Sequence, residues 1–201
     1  MISEGNSREA EMLTQLDDIL PQYRRNAHGI FFHGLRGQNM QKNDSPSWYN
    51  PYEAKMVFLM TSKLYGKNIR PKSIGIITPF IGQVEHLPKL FDDATVTAPN
   101  IGTVEEFQGE ERDIILISTV RSSKEHIPSD LRHGLGFIQN RKLTNLAITR
   151  PRYLLVVYGN ADLLVLDPRW RMIIKHCVDN DAISLVTLVS TPIPAIRCLS
   201  F

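Results

Sequence analysis

Cysteine is scarce in this chain. Cys177 and Cys198 are the only two among 201 residues, and neither stands in the Cys/His spacing of a zinc site or in a framework of paired half-cystines. A reducing compartment is the simpler expectation. No apolar run approaches the roughly 20 residues that span a bilayer, and the first eight residues, MISEGNSR, lack the apolar region of a secretory signal. Excess charge is missing too. Lys and Arg number 23 against 21 Asp and Glu, a net charge of +2, so contact with a polyanion requires a local arrangement of basic and polar groups, not bulk charge.

Several site motifs are also absent. Gly66-Lys67 is followed by Asn68 and lacks the upstream glycine, so no phosphate loop of the Gly-x-x-x-x-Gly-Lys-[Ser/Thr] type occurs. Asp17 and Asp18 follow a polar helix-like segment, not a buried strand, which suits a magnesium-holding acidic motif poorly. The six histidines (28, 33, 86, 126, 133 and 176) fall into no metal-binding or Ser-His-Asp pattern.

A chain that is 42% hydrophobic and 22% charged suits one compact domain with irregular ends. A lead-in helix carries Met12, Leu13, Leu16, Ile19 and Leu20 up to Pro21. Residues 29–33 (GIFFH) read as a first strand, and the turn-rich stretch through Asn43 to Ser47 as a long loop. Asn50-Pro51 opens the clearest helix, with Glu53 near its N-terminus and Ala54, Val57, Phe58, Thr61, Leu64 and Tyr65 on one face. A buried strand from Ser73 to Thr78 precedes a helix with Ile81, Val84, Leu87 and Leu90 on one side, which Pro88 is expected to kink or shorten. Strands follow near Ile101–Val104 and Asp113–Val120, then a basic and polar excursion to Asn140, a helix over Arg141–Thr149 and a strand from Tyr153. Apolar strands alternating with helices imply an α/β fold with a mainly parallel sheet covered on both faces. The boundaries expected are a lead-in over 1–27, the α/β domain over 28–180, and a tail over 181–201.

Polar residues cluster beside these strands. In Gln108 to Asp113 (QGEERD), glycine permits close backbone approach, Gln108 can donate and accept, and Glu111 can accept from a ribose hydroxyl or pair with a cation. A charged surface turn uses the same residues. Arg150, just before a buried strand, can reach into a cleft and match a γ-phosphate; alternatively, Arg150 and Arg152 pair with Glu111 or Asp113. Thr78 to Gln83 (TPFIGQ) and Ser118 to Ser123 place hydroxyls, an aromatic ring and Arg121 at strand ends, where nucleic-acid phosphates and bases can be held. Phe80 as core, Thr78 as a helix cap and a solvated loop compete equally.

In order, TPFIGQ (78–83), TVEEFQG (103–109), STVR (118–121) and NLAITR (145–150) resemble motifs four, five and six of superfamily-one RNA helicases of the up-frameshift type. HGLRG (33–37), SPSWYNP (45–51) with Glu53-Ala54, and LGF (135–137) resemble the Armitage and Moloney-leukaemia-virus-ten-like helicases more narrowly, and Pro151 after the motif-six arginine fits the germline Armitage-like branch. The resemblance spans residues 28–180. It implies a RecA-like fold, here the second of two such domains, in an ATP-dependent 5′-to-3′ RNA helicase of small-RNA silencing, including the piwi-interacting RNA pathway. It further implies Arg150 at the γ-phosphate, with Glu111, Gln108 and Gly109 around the nucleotide. Thr78, Pro79, Thr103 and Arg121 fall at the RNA backbone, and no metal ligand is implied in this chain. ATP and Mg2+ would be held mainly by the first RecA-like domain, so this chain alone is expected to turn over little ATP. Expected partners are single-stranded RNA, that first domain and Piwi-type proteins, with a cytoplasmic location at perinuclear granules or the mitochondrial surface and no transmembrane segment. A non-enzymatic binding module and a related DNA helicase domain are the competing expectations.

Overall fold

A computed structural model describes residues 2–19, 29–41, 47–133, 136–138 and 140–186. Six strands form one sheet: β1 (Gly29–Leu35), β4 (Ile74–Thr78), β5 (Asn100–Thr103), β6 (Arg112–Ser118), β7 (Pro151–Gly159) and β8 (Ile183–Val186). Their order is β5-β4-β6-β7-β1-β8, and every neighbouring pair is parallel. This is the α/β RecA-like fold expected from the sequence. Ile114 to Ile117 are all fully buried because both faces of β6 are covered, which is why the run is apolar without alternation.

On one face pack α1 (Ile2–Gln15), α2 (Pro51–Gly66) and α3 (Ile81–Asp93), through Met12, Val57, Leu64, Leu87 and Phe91 against Ile76, Leu116 and Val156. The other face carries α5 (Arg141–Ile148), α6 (Ala161–Leu164) and α7 (Pro168–Asp179), with Leu143, Ala147, Trp170 and Ile174 against Ile115, Ile117 and Val157. A short helix, α4 (Ile127–His133), lies in the excursion after β6.

Several local expectations change. Leu20, Pro21 and Asn43 to Pro46 lie outside the described residues. Flanking the expected loop, Trp48–Tyr49 forms β3 and pairs antiparallel with β2 (Met40–Gln41). Asn50 caps α2, its Oδ1 accepting from the Tyr52 and Glu53 amides, but Phe58 and Tyr65 are only partly buried while Glu53 is fully enclosed. The buried side of α3 is Gly82, Gln83, Leu87 and Phe91, with Ile81 51% exposed. Its phase is set by Gly82, where a Cβ would stand 2.7 Å from the Trp48 carbonyl oxygen, so the helix start can lie against the β3 backbone. The helix also runs through Pro88 to Asp93, unshortened. In the expected tail, Ile183–Val186 is the outermost strand of the sheet, beside β1.

Candidate functional site

Parallel strands give the sheet two chemically distinct edges. At the C-terminal edge lie Thr78 and Thr103, partners in the β4–β5 register, and the residues that follow Ser118. At the N-terminal edge, Arg112 pairs with Pro151. The segment 104–111 joins the two, pinned by buried Val104 and Phe107, with Gln108, Gly109, Glu110 and Glu111 exposed. Gly109 has φ +83° with open space where a Cβ would stand, so the backbone conformation, not crowding, calls for glycine.

The N-terminal edge brings Arg150 beside Glu111. α5 ends at Ile148, and the Arg150 carbonyl accepts from the Arg112 amide at 3.2 Å. The Arg150 guanidinium donates from Nε to the Leu146 carbonyl (3.2 Å) and from Nη2 to the Thr149 hydroxyl (3.1 Å). Among the described residues no carboxylate pairs with it. Arg152 has the fate weighed for both arginines: its Nε stands 3.3 Å from Glu111 Oε2, and its Nη1 3.8 Å from Asp113 Oδ1. Arg112 is likewise held, on Glu110 at 2.6 Å. A cleft of about 310 Å3 opens beside this edge, lined by Ile148, Pro151, Arg152, Tyr153 and His176 among others.

The C-terminal edge is built around a buried polar network that the sequence does not announce. Glu53 Oε2 accepts from the Ser118 hydroxyl (2.7 Å) and the Val120 amide (2.8 Å), and its Oε1 from Asn50 Nδ2 (3.3 Å). Gln83 donates to Ser118 Oγ at 3.0 Å and accepts from the Asn50 amide at 2.8 Å. With no cation among its partners, burial pushes the Glu53 carboxyl up to about 7, against the pull of its hydrogen bonds from Ser118 and Val120. The pattern Asn50-x-x-Glu53 has the form of an exposed capping box, which is why sequence reasoning placed Glu53 only at a helix start.

This network holds a strained turn. Val120 has φ +69°, an outlier for a β-branched residue, and the Arg121 amide donates to the Thr119 carbonyl at 2.8 Å, closing a γ-turn. The Val120 carbonyl accepts from Asn39 (2.8 Å) and Asn50 (3.1 Å), while Asn39 Oδ1 takes the amides of Ser122 and Ser123. The turn ends β6 at Ser118, two residues earlier than expected.

Thr78 is fully buried, its Oγ1 without a partner; Pro79 and Thr103 are partly exposed. Arg121 corrects the sequence-based expectation of a backbone contact. Its side chain is 4% exposed, forms a bidentate pair with Asp130, and lies between the rings of Trp48 (4.7 Å) and Phe80 (4.8 Å). In this arrangement Arg121 is a structural clamp. Phe80 is core, as one of the competing expectations had it.

The all-parallel, doubly covered six-stranded sheet defines a RecA-like α/β domain. Residues 4–162 match the AAA domain family, and the chain belongs to it, with the superfamily-one helicases of the Armitage and Moloney-leukaemia-virus-ten-like type. It is 48% identical over 184 residues to the probable RNA helicase armi of Drosophila melanogaster, covering 90% of this chain and 16% of that protein. Identity to the RNA helicase Mov10l1 of Mus musculus is 40% over 159 residues, 78% of this chain and 13% of the relative. With the regulator of nonsense transcripts 1 of Dictyostelium discoideum it is 31% over 173 residues, 82% and 12% respectively. The chain therefore spans less than a fifth of each of these curated relatives. Among the described residues no helix is long and apolar enough to cross a membrane.

Proposed function

We propose that this chain is the second RecA-like domain of an ATP-dependent 5′-to-3′ RNA helicase acting in small-RNA silencing, in the piwi-interacting RNA pathway and in the cytoplasm. The observation that carries the reading is the contrast at the N-terminal edge, where Arg150 alone among Arg112, Arg150 and Arg152 has no carboxylate partner. Its hydrogen bonds to Leu146 and Thr149 orient the guanidinium without neutralising it. Such a group can stabilise the charge that spreads over a γ-phosphate during transfer.

Glu111, with one carboxylate oxygen on Arg152 and its side chain half exposed, would accept from the ribose, and Gln108 and Gly109 would line the same end of the nucleotide. Mg2+ and the phosphates of ATP are assigned to the first RecA-like domain. Among the described residues here, no three Asp, Glu, His or Cys side chains group to hold a metal. Pro79 and Thr103, partly exposed at the opposite edge, would follow the RNA backbone, with the buried Thr78 beneath them and Arg121 bracing the loop beside them.

The test is RNA-stimulated ATP turnover by the complete motor, comparing wild type with Arg150→Ala and Arg150→Lys. An arginine in this role contributes about 10³-fold or more in turnover. Arg150→Ala should therefore abolish most turnover while RNA binding persists, and lysine should restore little because it lacks the planar fork. Turnover that survives Arg150→Ala would return the chain to a binding module. Stimulation by DNA in preference to RNA of equal length would make it a DNA motor.

A further inference from the structure

We propose that the excursion from Ser122 to Lys142 is an additional RNA-contact surface, with Lys124, Arg132, Arg141 and Lys142 lying against backbone phosphates. It rests on the RNA reading of the C-terminal edge and extends it to four side chains outside every motif quoted above.

The first support is a local excess of unpaired positive charge. Elsewhere many exposed or half-exposed cations are matched, Arg36 with Asp162, Lys63 and Lys67 with Asp18, Arg112 with Glu110, Arg152 with Glu111 and Lys175 with Asp179, whereas the excursion gathers four that are not. Lys124, Arg132, Arg141 and Lys142 are all exposed, and none has a carboxylate partner among the described residues. Within the excursion the acids are Glu125 and Asp130, and Asp130 is consumed by Arg121. Four unpaired cations against one exposed carboxylate give a local positive field that the chain's net charge of +2 conceals.

The second support is placement. The excursion leaves from the end of β6, and α5 must bring the chain back to the start of β7, so the N-terminus of α5, with Arg141 and Lys142, faces the C-terminal edge of the sheet. Three contacts fasten the segment there. His126 lies 4.2 Å from the Trp48 ring, Asp130 grips Arg121 between Trp48 and Phe80, and Gly136, at φ +72°, sits under Phe80, whose ring a Cβ would meet at 3.4 Å. Phe80 follows Thr78-Pro79 directly, so the cations are carried beside the residues assigned to the RNA backbone. A segment anchored this way presents its charges without first losing the freedom of a mobile loop.

The experiment measures binding of this chain to a single-stranded oligouridine RNA by fluorescence anisotropy between 50 and 200 mM salt. Wild type is compared with the fourfold variant Lys124→Gln, Arg132→Gln, Arg141→Gln, Lys142→Gln, and with a charge-matched control, Lys67→Gln, Lys72→Gln, Lys89→Gln, Lys175→Gln. Thermal melts check that each sample is folded. Each neutralised phosphate contributes about 0.7 to the slope of log affinity on log salt for a single strand. Four contacts predict a slope shallower by up to about 2.8 in the excursion variant, and a wild-type loss of affinity over this range up to about 50-fold greater than the variant's. The control should keep the wild-type slope. Wild-type slope in the excursion variant overturns the proposal and leaves the helicase reading intact, since that reading is tested by Arg150 turnover. Equal losses in both variants overturn it as well, because net charge would then suffice. No RNA binding by wild type at 50 mM overturns both this proposal and the RNA assignment of the edge.

Discussion

The two edges of the sheet treat arginine in opposite ways. At the C-terminal edge Arg121 is enclosed, bidentate on Asp130 and stacked between two aromatic rings. At the N-terminal edge Arg150 is half exposed, held only by a carbonyl and a hydroxyl. Both follow or precede a buried strand by a few residues, and both match a family motif, yet one is ion-paired within the architecture and the other is left without a counter-ion. A desolvated, ion-paired guanidinium holds loops together, whereas a partly exposed one without a counter-ion keeps its field uncompensated.

The comparison is broken most severely at Arg150. Arg150→Ala should lower RNA-stimulated turnover by about 10³-fold or more, whereas Arg152→Ala, which removes an exposed pair with Glu111 and a 3.8 Å contact with the buried Asp113 carboxylate, should change it by less than about tenfold. Steady-state ATP turnover of the complete motor checks both. Equal losses would erase the distinction between the two side chains.

At the other edge the effect should fall on stability. Asp130→Ala leaves a buried guanidinium unpaired, and breaking such a pair costs about 3–5 kcal/mol. Urea unfolding should show it, with the double change Arg121→Met, Asp130→Ala recovering much of the loss.

Glu53 tests how that edge responds to pH. Its carboxyl is raised to about 7 in the folded state from 4.5, so its favourable contribution is complete below about 4.5 and is lost as pH rises through about 7. Between those values the unfolded chain releases the proton first, and stability falls by up to about 1.4 kcal/mol per pH unit. Unfolding free energies measured from pH 5 to 8 should show this slope in wild type and its absence in Glu53→Gln. The smallest expected change is at Gly109. Alanine there costs about 1 kcal/mol through its positive φ, with no steric clash, again read from urea unfolding.

Much of the architecture was legible because local chemistry and burial agree. The run Ile114 to Ile117 is apolar on both sides of the strand, and Asn50-Pro51 is a helix start in any context. Legibility failed where a side chain's environment is supplied by residues distant in sequence. Glu53, read only as an acid near a helix N-terminus, is enclosed by Ser118 and Val120, and Gln83 is buried on a helix whose apolar phase pointed to Ile81. The strand at Ile183–Val186 was hidden by its shortness, since only its register with Phe32 to Leu35 makes it part of the sheet.

By itself, the sequence determined the strand-and-helix alternation, the ordered motifs and hence the family, because these depend on residue type and spacing along the chain. Only the tertiary structure decided which charges are neutralised. Arg121, Arg150 and Arg152 are the same residue type beside similar strands, and what separates them is whether a carboxylate from another part of the chain comes within reach. That distance is a property of the packed sheet, where Coulomb energy and desolvation are set together.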